Sequence, residues 1–169
     1  SHNLRAILLT MLRHAPISRV RIAELTGLST TTVTNLIAEL LDEGMVAHCA
    51  VERKTENRSV GRPRQALELV PDSRSAVGVH FGVGRVNVAV TNIFAQPLCQ
   101  LTLRHALDDP AEDVLRETMT LVRQAIEQSG VERDRLVGLG AGASGLVDPY
   151  EGVNVLAPNM GWHNVPLRS

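Results

Sequence analysis

The chain has 169 residues, with 17 basic and 18 acidic side chains for a formal charge of −1, and 44% of its residues are hydrophobic. No apolar stretch approaches the roughly 20 residues needed to cross a bilayer, and no export signal opens the chain, so a cytoplasmic protein with no membrane span is expected. Two cysteines, Cys49 and Cys99, make no disulfide framework and lack metal-ligand spacing, which fits a reducing compartment.

In chain order, Leu4, Ile7, Leu8, Met11 and Leu12 recur at helical spacing and predict a first helix that Pro16 stops. Ser18 is placed to cap a second, with Ile17 and Ile22 as a hydrophobic staple, and Gly27 ends it. Ser29 caps a third, Leu28 and Val33 repeat the staple, and Val33, Leu36, Ile37, Leu40 and Leu41 form its apolar face before Gly44. Two capped helices joined by a short glycine-containing turn predict a helix-turn-helix. The other face of the third helix carries Thr30, Thr31, Thr32, Thr34 and Asn35. Short hydrogen-bonding side chains there suit first turns that approach base edges and phosphates in a major groove. The plainer reading is a solvated face, yet threonine runs are poor helix formers for that purpose.

Residues 45–51 and 65–70 read as strands enclosing 52–64, where Arg53, Lys54, Arg58, Arg62 and Arg64 stand against Glu52 and Glu56, a local charge of +3. A basic-tipped hairpin after a helix-turn-helix is a wing, although a lone charge run is more often a solvated loop. In Gly61-Arg62-Pro63-Arg64 the proline holds the backbone extended and the glycine removes bulk, which suits two arginines lying along a narrow minor groove. Split at the turn-forming Pro71-Asp72-Ser73, residues 1–72 carry nine bases and eight acids, and 73–169 carry eight and ten. Specific binding needs local rather than net charge, so the neutral total excludes nothing. Arginine supplies 16 of the 17 bases, which favours bidentate contacts.

Beyond the boundary, residues 76–92 predict two strands around a glycine turn, and 96–104 a third strand. Asp109, Pro110 and Glu112 read as N-cap, N1 and N3 of a helix with Val114, Leu115, Met119, Val122 and Ile126 on its apolar face, ended by Gly130. Residues 136–141 read as a buried strand running into Gly142-Ala143-Ser144-Gly145. This β-β-β-α-β order predicts one lobe of an actin-like, ribonuclease H-like α/β fold. The chain is therefore expected to be an α+β multidomain protein, with a winged helix-turn-helix over 1–72 and an α/β lobe over 73–169.

The succession of a helix-turn-helix, Val60-Gly-Arg-Pro-Arg, Gly138-Leu-Gly-Ala-Gly-Ala-Ser-Gly-Leu-Val-Asp-Pro and Leu156-Ala-Pro-Asn-Met-Gly-Trp resembles the ROK family (repressor, open reading frame, kinase). The resemblance covers essentially the whole chain. Members are sugar kinases or sugar-responsive transcription factors with an added N-terminal winged helix, and the helix-turn-helix here points to the second kind. It implies a sequence-specific regulator of carbohydrate genes, expected to repress, that binds a double-stranded operator as a homodimer or higher homo-oligomer and answers to a sugar or sugar phosphate. Thr31, Thr32, Thr34 and Asn35 are the expected base readers, Ser29 and Thr30 the phosphate contacts, and Arg58, Arg62 and Arg64 the wing contacts.

The alternative is a ROK sugar kinase with a fused regulatory domain. Kinases of the family carry an Asp-x-Gly-Gly-Thr type phosphate loop; here His80 stands at the metal-organising acid and Arg85 at the hydroxyl. A histidine is no substitute for a hard-cation carboxylate and an arginine crowds the phosphates, so no enzyme activity, no catalytic residue and no metal ligand is expected. His80 reads as a partly buried strand residue. By resemblance the sugar pocket includes Ser144, Gly145 and Asn159, while Trp162 is a packing anchor. A glycine turn bares backbone amides, and an amide side chain offers paired donors and acceptors; a turn residue capping its own backbone is an equal reading of Asn159. The family continues well beyond this length, so the lobe is expected to be unfinished. No cofactor is expected in this chain, and zinc only where a further C-terminal part carries the family cysteine motif.

Overall fold

The computed structural model describes residues 2–49 and 65–168, which fall in two compact units, Ser1–Ser73 and Arg74–Ser169. In the first, α1 (His2–His14), α2 (Arg19–Thr26) and α3 (Thr30–Asp42) precede a two-stranded antiparallel sheet of β1 (Val46–Cys49) and β2 (Ala66–Leu69). Ile7, Met11, Ile17, Ile22, Val33, Ile37, Leu40, Val46 and Leu67 form its core. The α1 stripe is narrower than its sequence suggests, because Leu12 is exposed. At 3.6 residues per turn it lies about 100° around the helix from Met11. Both helix entries follow the staple: Ile17 and Ile22 are buried, as is Val33, with Leu28 half-buried beside the Ser29 cap.

The second unit is built on a four-stranded sheet of order β5-β4-β3-β6, with β3 (Ser75–Gly82), β4 (Arg85–Asn92), β5 (Pro97–Arg104) and β6 (Leu136–Ala143). A two-residue turn, Val83-Gly84, joins β3 to β4 in antiparallel register from Ser75↔Asn92 to Gly82↔Arg85, and β6 runs parallel to β3. Alternation decides the faces. Val77, Val79 and Phe81 on β3 and Val86, Val88 and Val90 on β4 are all buried, each stabilising by about 1.5–3 kcal/mol relative to exposure. Against them lie α4 (Ala111–Ser129) and residues of a three-stranded antiparallel sheet, β7 (Leu146–Asp148), β8 (Val153–Ala157) and β9 (Trp162–Pro166). Trp162 is buried as an anchor, its ring 5.6 Å from that of Phe81.

Three expectations need correction. The buried stripe of α4 is Val114, Thr118, Val122 and Ala125, whereas Met119 is 49% exposed. The helix turns its small side chains to the sheet, and the Thr118 hydroxyl meets its polarity by donating to the Val114 carbonyl at 2.7 Å. Asp109 does not cap α4, which begins after Pro110; its carboxylate accepts from the Ala106 amide at 2.7 Å and closes the preceding turn. The strand from Leu136 is exposed rather than buried, with Val137 and Leu139 68% and 50% accessible. Among the described residues it pairs with β3 alone.

Burial separates two apolar side chains of α4, Val122 inside and Met119 outside. Val122→Ala should cost about 2 kcal/mol, while Met119→Ala should change stability by less than about 0.5 kcal/mol. Urea unfolding of the two variants checks this, and equal losses would return Met119 to the core.

Candidate nucleic-acid interface and ligand groove

The angle between α2 and α3 is set by two caps and one glycine. Ser18 caps α2 through the Arg21 amide, and Gly27, at φ +69°, sends its N–H to the Ala23 carbonyl at 2.9 Å. A residue with a side chain is strained at that φ. Two residues on, Ser29 Oγ accepts from the Thr32 amide at 3.1 Å and starts α3, with Gly44 at φ +67° beyond its far end.

The structure brings the expected reading residues together on the first two turns of α3, though not as equals. Ser29, Thr30, Thr31, Thr34 and Asn35 are exposed and Thr32 is half-buried. The Thr32 hydroxyl lies 2.9 Å from Ser29 Oγ, inside the cap, and the Thr34 hydroxyl donates to the Thr30 carbonyl at 2.8 Å. Thr31 and Asn35 form no side-chain hydrogen bond among the described residues. They stand one turn apart on one face, and the exposed Thr30 hydroxyl is likewise without a hydrogen bond among the described residues. The wing contacts Arg58, Arg62 and Arg64, with the rest of the basic run, lie outside the described residues. What is described is the base of the hairpin, from Val46↔Leu69 to Cys49↔Ala66.

In the second unit His80 is exposed, contrary to the partly buried position expected. It alternates with Val79 and Phe81 onto the opposite face, where Gly78, Gly138, Gly140 and Gly142 are also open. Its imidazole lies over bare backbone: a Cβ on Gly82 would sit 3.4 Å from His80 Cε1, and one on Gly142 4.0 Å from Cδ2. The ring thus lies beside Gly82 and Gly142, and β3 carries no carboxylate to organise a cation. These residues do not fit a magnesium nucleotide.

The turn holding Ser144 and Gly145 is clamped from both sides. The Ser144 amide donates to the Phe81 carbonyl at 2.9 Å, and its carbonyl accepts from Asn154 Nδ2 at 3.0 Å. Asn154 is fully buried, with its Oδ1 unpartnered. Gly145 sits at φ +106°, where a Cβ would collide with the Leu156 carbonyl oxygen and lie 2.9 Å from Ala157 Cα. Asn159 lies in a groove of about 670 Å³ lined by Val83, Leu107, Asp108, Pro158, Asn159 and Gly161, which Ser144 and Gly145 do not line. Its amide makes no hydrogen bond among the described residues, so it does not cap its own backbone. Sequence reasoning singled out neither Asp108 nor Asn154.

The first unit thus defines a DNA-binding module of the winged helix-turn-helix class, and a family model described as winged helix-turn-helix DNA-binding matches residues 1–47. The xylose repressor of Caldicellulosiruptor bescii is 30% identical over 163 residues, covering 96% of this chain and 40% of its own length. That of Bacillus subtilis is 27% identical, covering 99% and 42%. A solved ROK family transcriptional regulator, described as a homolog of the E. coli MLC protein, shares the fold with a TM-score of 0.73 at 20% identity, over 98% of this chain and 41% of that one. In sequence the chain is thus similar to xylose repressors, and in fold to a ROK family transcriptional regulator. The chain spans about two fifths of the length of the curated relatives it matches. Among the described residues no helix is long and apolar enough to cross a membrane.

The clamped turn has a stability signature. Gly130, at φ +68° with open space around it, should lose about 1–2 kcal/mol on replacement by Ala, from backbone strain alone. Gly145→Ala adds overpacking and should lose roughly 3 kcal/mol or more. Denaturant unfolding distinguishes the two, and equal losses would mean that the turn is not clamped.

Proposed function

We propose that this chain is a sequence-specific DNA-binding transcriptional regulator of carbohydrate-metabolism genes, acting as a repressor, and that it is not an enzyme. The observation that carries the proposal is the exposed, uncommitted hydrogen-bonding pair Thr31 and Asn35 on the capped first turns of α3. An asparagine amide is suited to bidentate recognition of adenine in the major groove, and threonine offers both a hydroxyl and a methyl contact. Thr34, its hydroxyl already bonded to the Thr30 carbonyl, contributes its methyl group to thymine. Thr32 orders the cap, and Ser29 with the exposed N-terminus of α3 approaches a phosphate, where helix dipole and free amides favour an anion.

Affinity comes from the arginines. Arg58, Arg62 and Arg64 are assigned to the wing on sequence alone, with Arg62 and Arg64 in the minor groove. A homodimer on a pseudo-palindrome is the natural arrangement for such a module, in the cytoplasm where the DNA is. The second unit serves as the effector domain. The names of the similar xylose repressors support a sugar effector, and a β3 without a carboxylate supports binding without phosphoryl transfer.

The test is fluorescence anisotropy on operator DNA from the neighbouring promoter across a salt series. Asn35→Ala should lose about 1–3 kcal/mol of discrimination at one base position and keep most non-specific binding. Arg62→Ala with Arg64→Ala should weaken binding to all sequences and lower the salt slope by about 2. Unchanged discrimination in the first variant, or ATP-dependent sugar phosphorylation by the wild type, would overturn the proposal.

A further inference from the structure

The groove around Asn159 is flanked by two glycines in the left-handed region, Gly84 at φ +68° and Gly161 at φ +67°, each lying against the segment 105–107. A Cβ on Gly84 would lie 3.6 Å from the His105 carbonyl oxygen, and one on Gly161 3.7 Å from that of Leu107. The segment between them is held at both ends: His105 Nδ1 lies 2.8 Å from the Ala106 carbonyl oxygen, and the Ala106 amide donates to Asp109 at 2.7 Å. Asp108 follows directly and is exposed into the groove, and its carboxylate has no hydrogen-bond or ion-pair partner among the described residues. Asn159 enters from the other wall, equally unpartnered. Val83, Leu107 and Pro158 supply apolar surface between them.

The charge of this lining is one-sided: one carboxylate and no cation. The arginines of the neighbouring strands do not line it and point away from the core. Arg85 and Arg104 face each other in register, and each alternates away from a neighbour, Val86 or Leu103, that packs into the core. A carboxylate accepts hydroxyl hydrogens at both oxygens, an amide both donates and accepts, and an apolar floor suits the C–H face of a ring. The same carboxylate repels a phosphate ester.

We infer that Asp108 and Asn159 form the polar walls of a subsite for an uncharged, polyhydroxylated ligand, and that Asp108 sets its selectivity by excluding sugar phosphates. This rests on the sugar-effector reading above and narrows it to neutral sugars. Asn159 binds hydroxyls whatever the ligand's charge, whereas Asp108 discriminates by charge.

The experiment is a titration of the ¹⁵N-labelled full chain with D-xylose, D-xylose 5-phosphate, D-glucose and D-glucose 6-phosphate, followed by amide shifts. A neutral sugar should move the amides of Leu107, Asp108 and Gly161, and its phosphate ester should bind at least about 100-fold more weakly. Asp108→Lys should reverse that preference, and Asp108→Asn should abolish it while holding neutral binding within about threefold. Asn159→Ala should weaken neutral sugars about tenfold, with the ratio between sugar and ester kept. Ester binding by the wild type as tight as the parent sugar overturns the inference. So do neutral-sugar shifts confined to Ser144 and Gly145, which leave the effector reading standing. If no sugar and no ester moves any amide of the second unit, both fall.

Discussion

Two reciprocal hydrogen bonds hold the DNA-facing unit together: the Ile17 amide donates to the Leu67 carbonyl at 3.0 Å, and the Leu67 amide returns to Ile17 at 2.9 Å. An eight-residue helix such as α2 is marginal by itself in water. It persists because the residue before its cap is a strand partner of the hairpin, and because Ile17, Ile22 and Leu67 are buried together in one core. The same bridge fixes β2, and through the β1–β2 register it fixes where the hairpin leaves the body of the unit. Recognition helix and wing base therefore share one reference point. The Met45 amide on the Leu40 carbonyl and the Val70 amide on the Met45 carbonyl, both at 2.9 Å, close the frame from the far end of α3.

The second unit solves a similar problem through β3. That strand lies between β4 and β6, its inward residues supply the core, and its carboxyl end meets both the Ser144-Gly145 turn and the Asn159 groove. Phe81 packs on Trp162 and receives the Ser144 amide, while the turn after Gly82 brings Val83 to the Asn159 groove. In open α/β sheets, ligands collect at the carboxyl ends of parallel strands, and β3 and β6 are the parallel pair here. Placing polar recognition on the turns leaves the sheet itself free to be a packed scaffold.

Local order was legible in the sequence wherever one residue decides a backbone conformation. Ser18, Ser29, Gly27 and Gly130 stand where cap chemistry puts them, and the β3–β4 hairpin follows from alternation around Val83-Gly84. What depends on neighbours was not legible. The apolar run from Leu136 reads the same whether one or both of its flanks are paired, and only the sheet order shows β6 paired with β3 alone among the described residues. The inward face of α4 runs through Thr118 and Ala125, side chains that a search for large apolar residues passes over. His80 had one buried neighbour on each side in sequence, but which face stays open is a property of the sheet. Asp108 was hidden because nothing in its own sequence context marks a groove; the groove exists only once the loop is laid against Gly84 and Gly161.

The side chains available for reading DNA on α3 are uncharged, so they add little to attraction over distance. Their hydrogen bonds replace bonds to water and are worth little net unless geometry is right, which is the condition for discrimination rather than affinity. Affinity must then come from charge placed elsewhere, and the basic run between β1 and β2 carries five of the chain's 17 basic residues. The second unit shows the complementary use of charge, with a lone carboxylate in a groove free of cations. A total of −1 conceals both arrangements, because each acts within about a Debye length, roughly 8–10 Å at physiological ionic strength. Beyond that distance the opposite charges on the rest of the chain are screened, so the basic run and the carboxylate each act on what lies beside them.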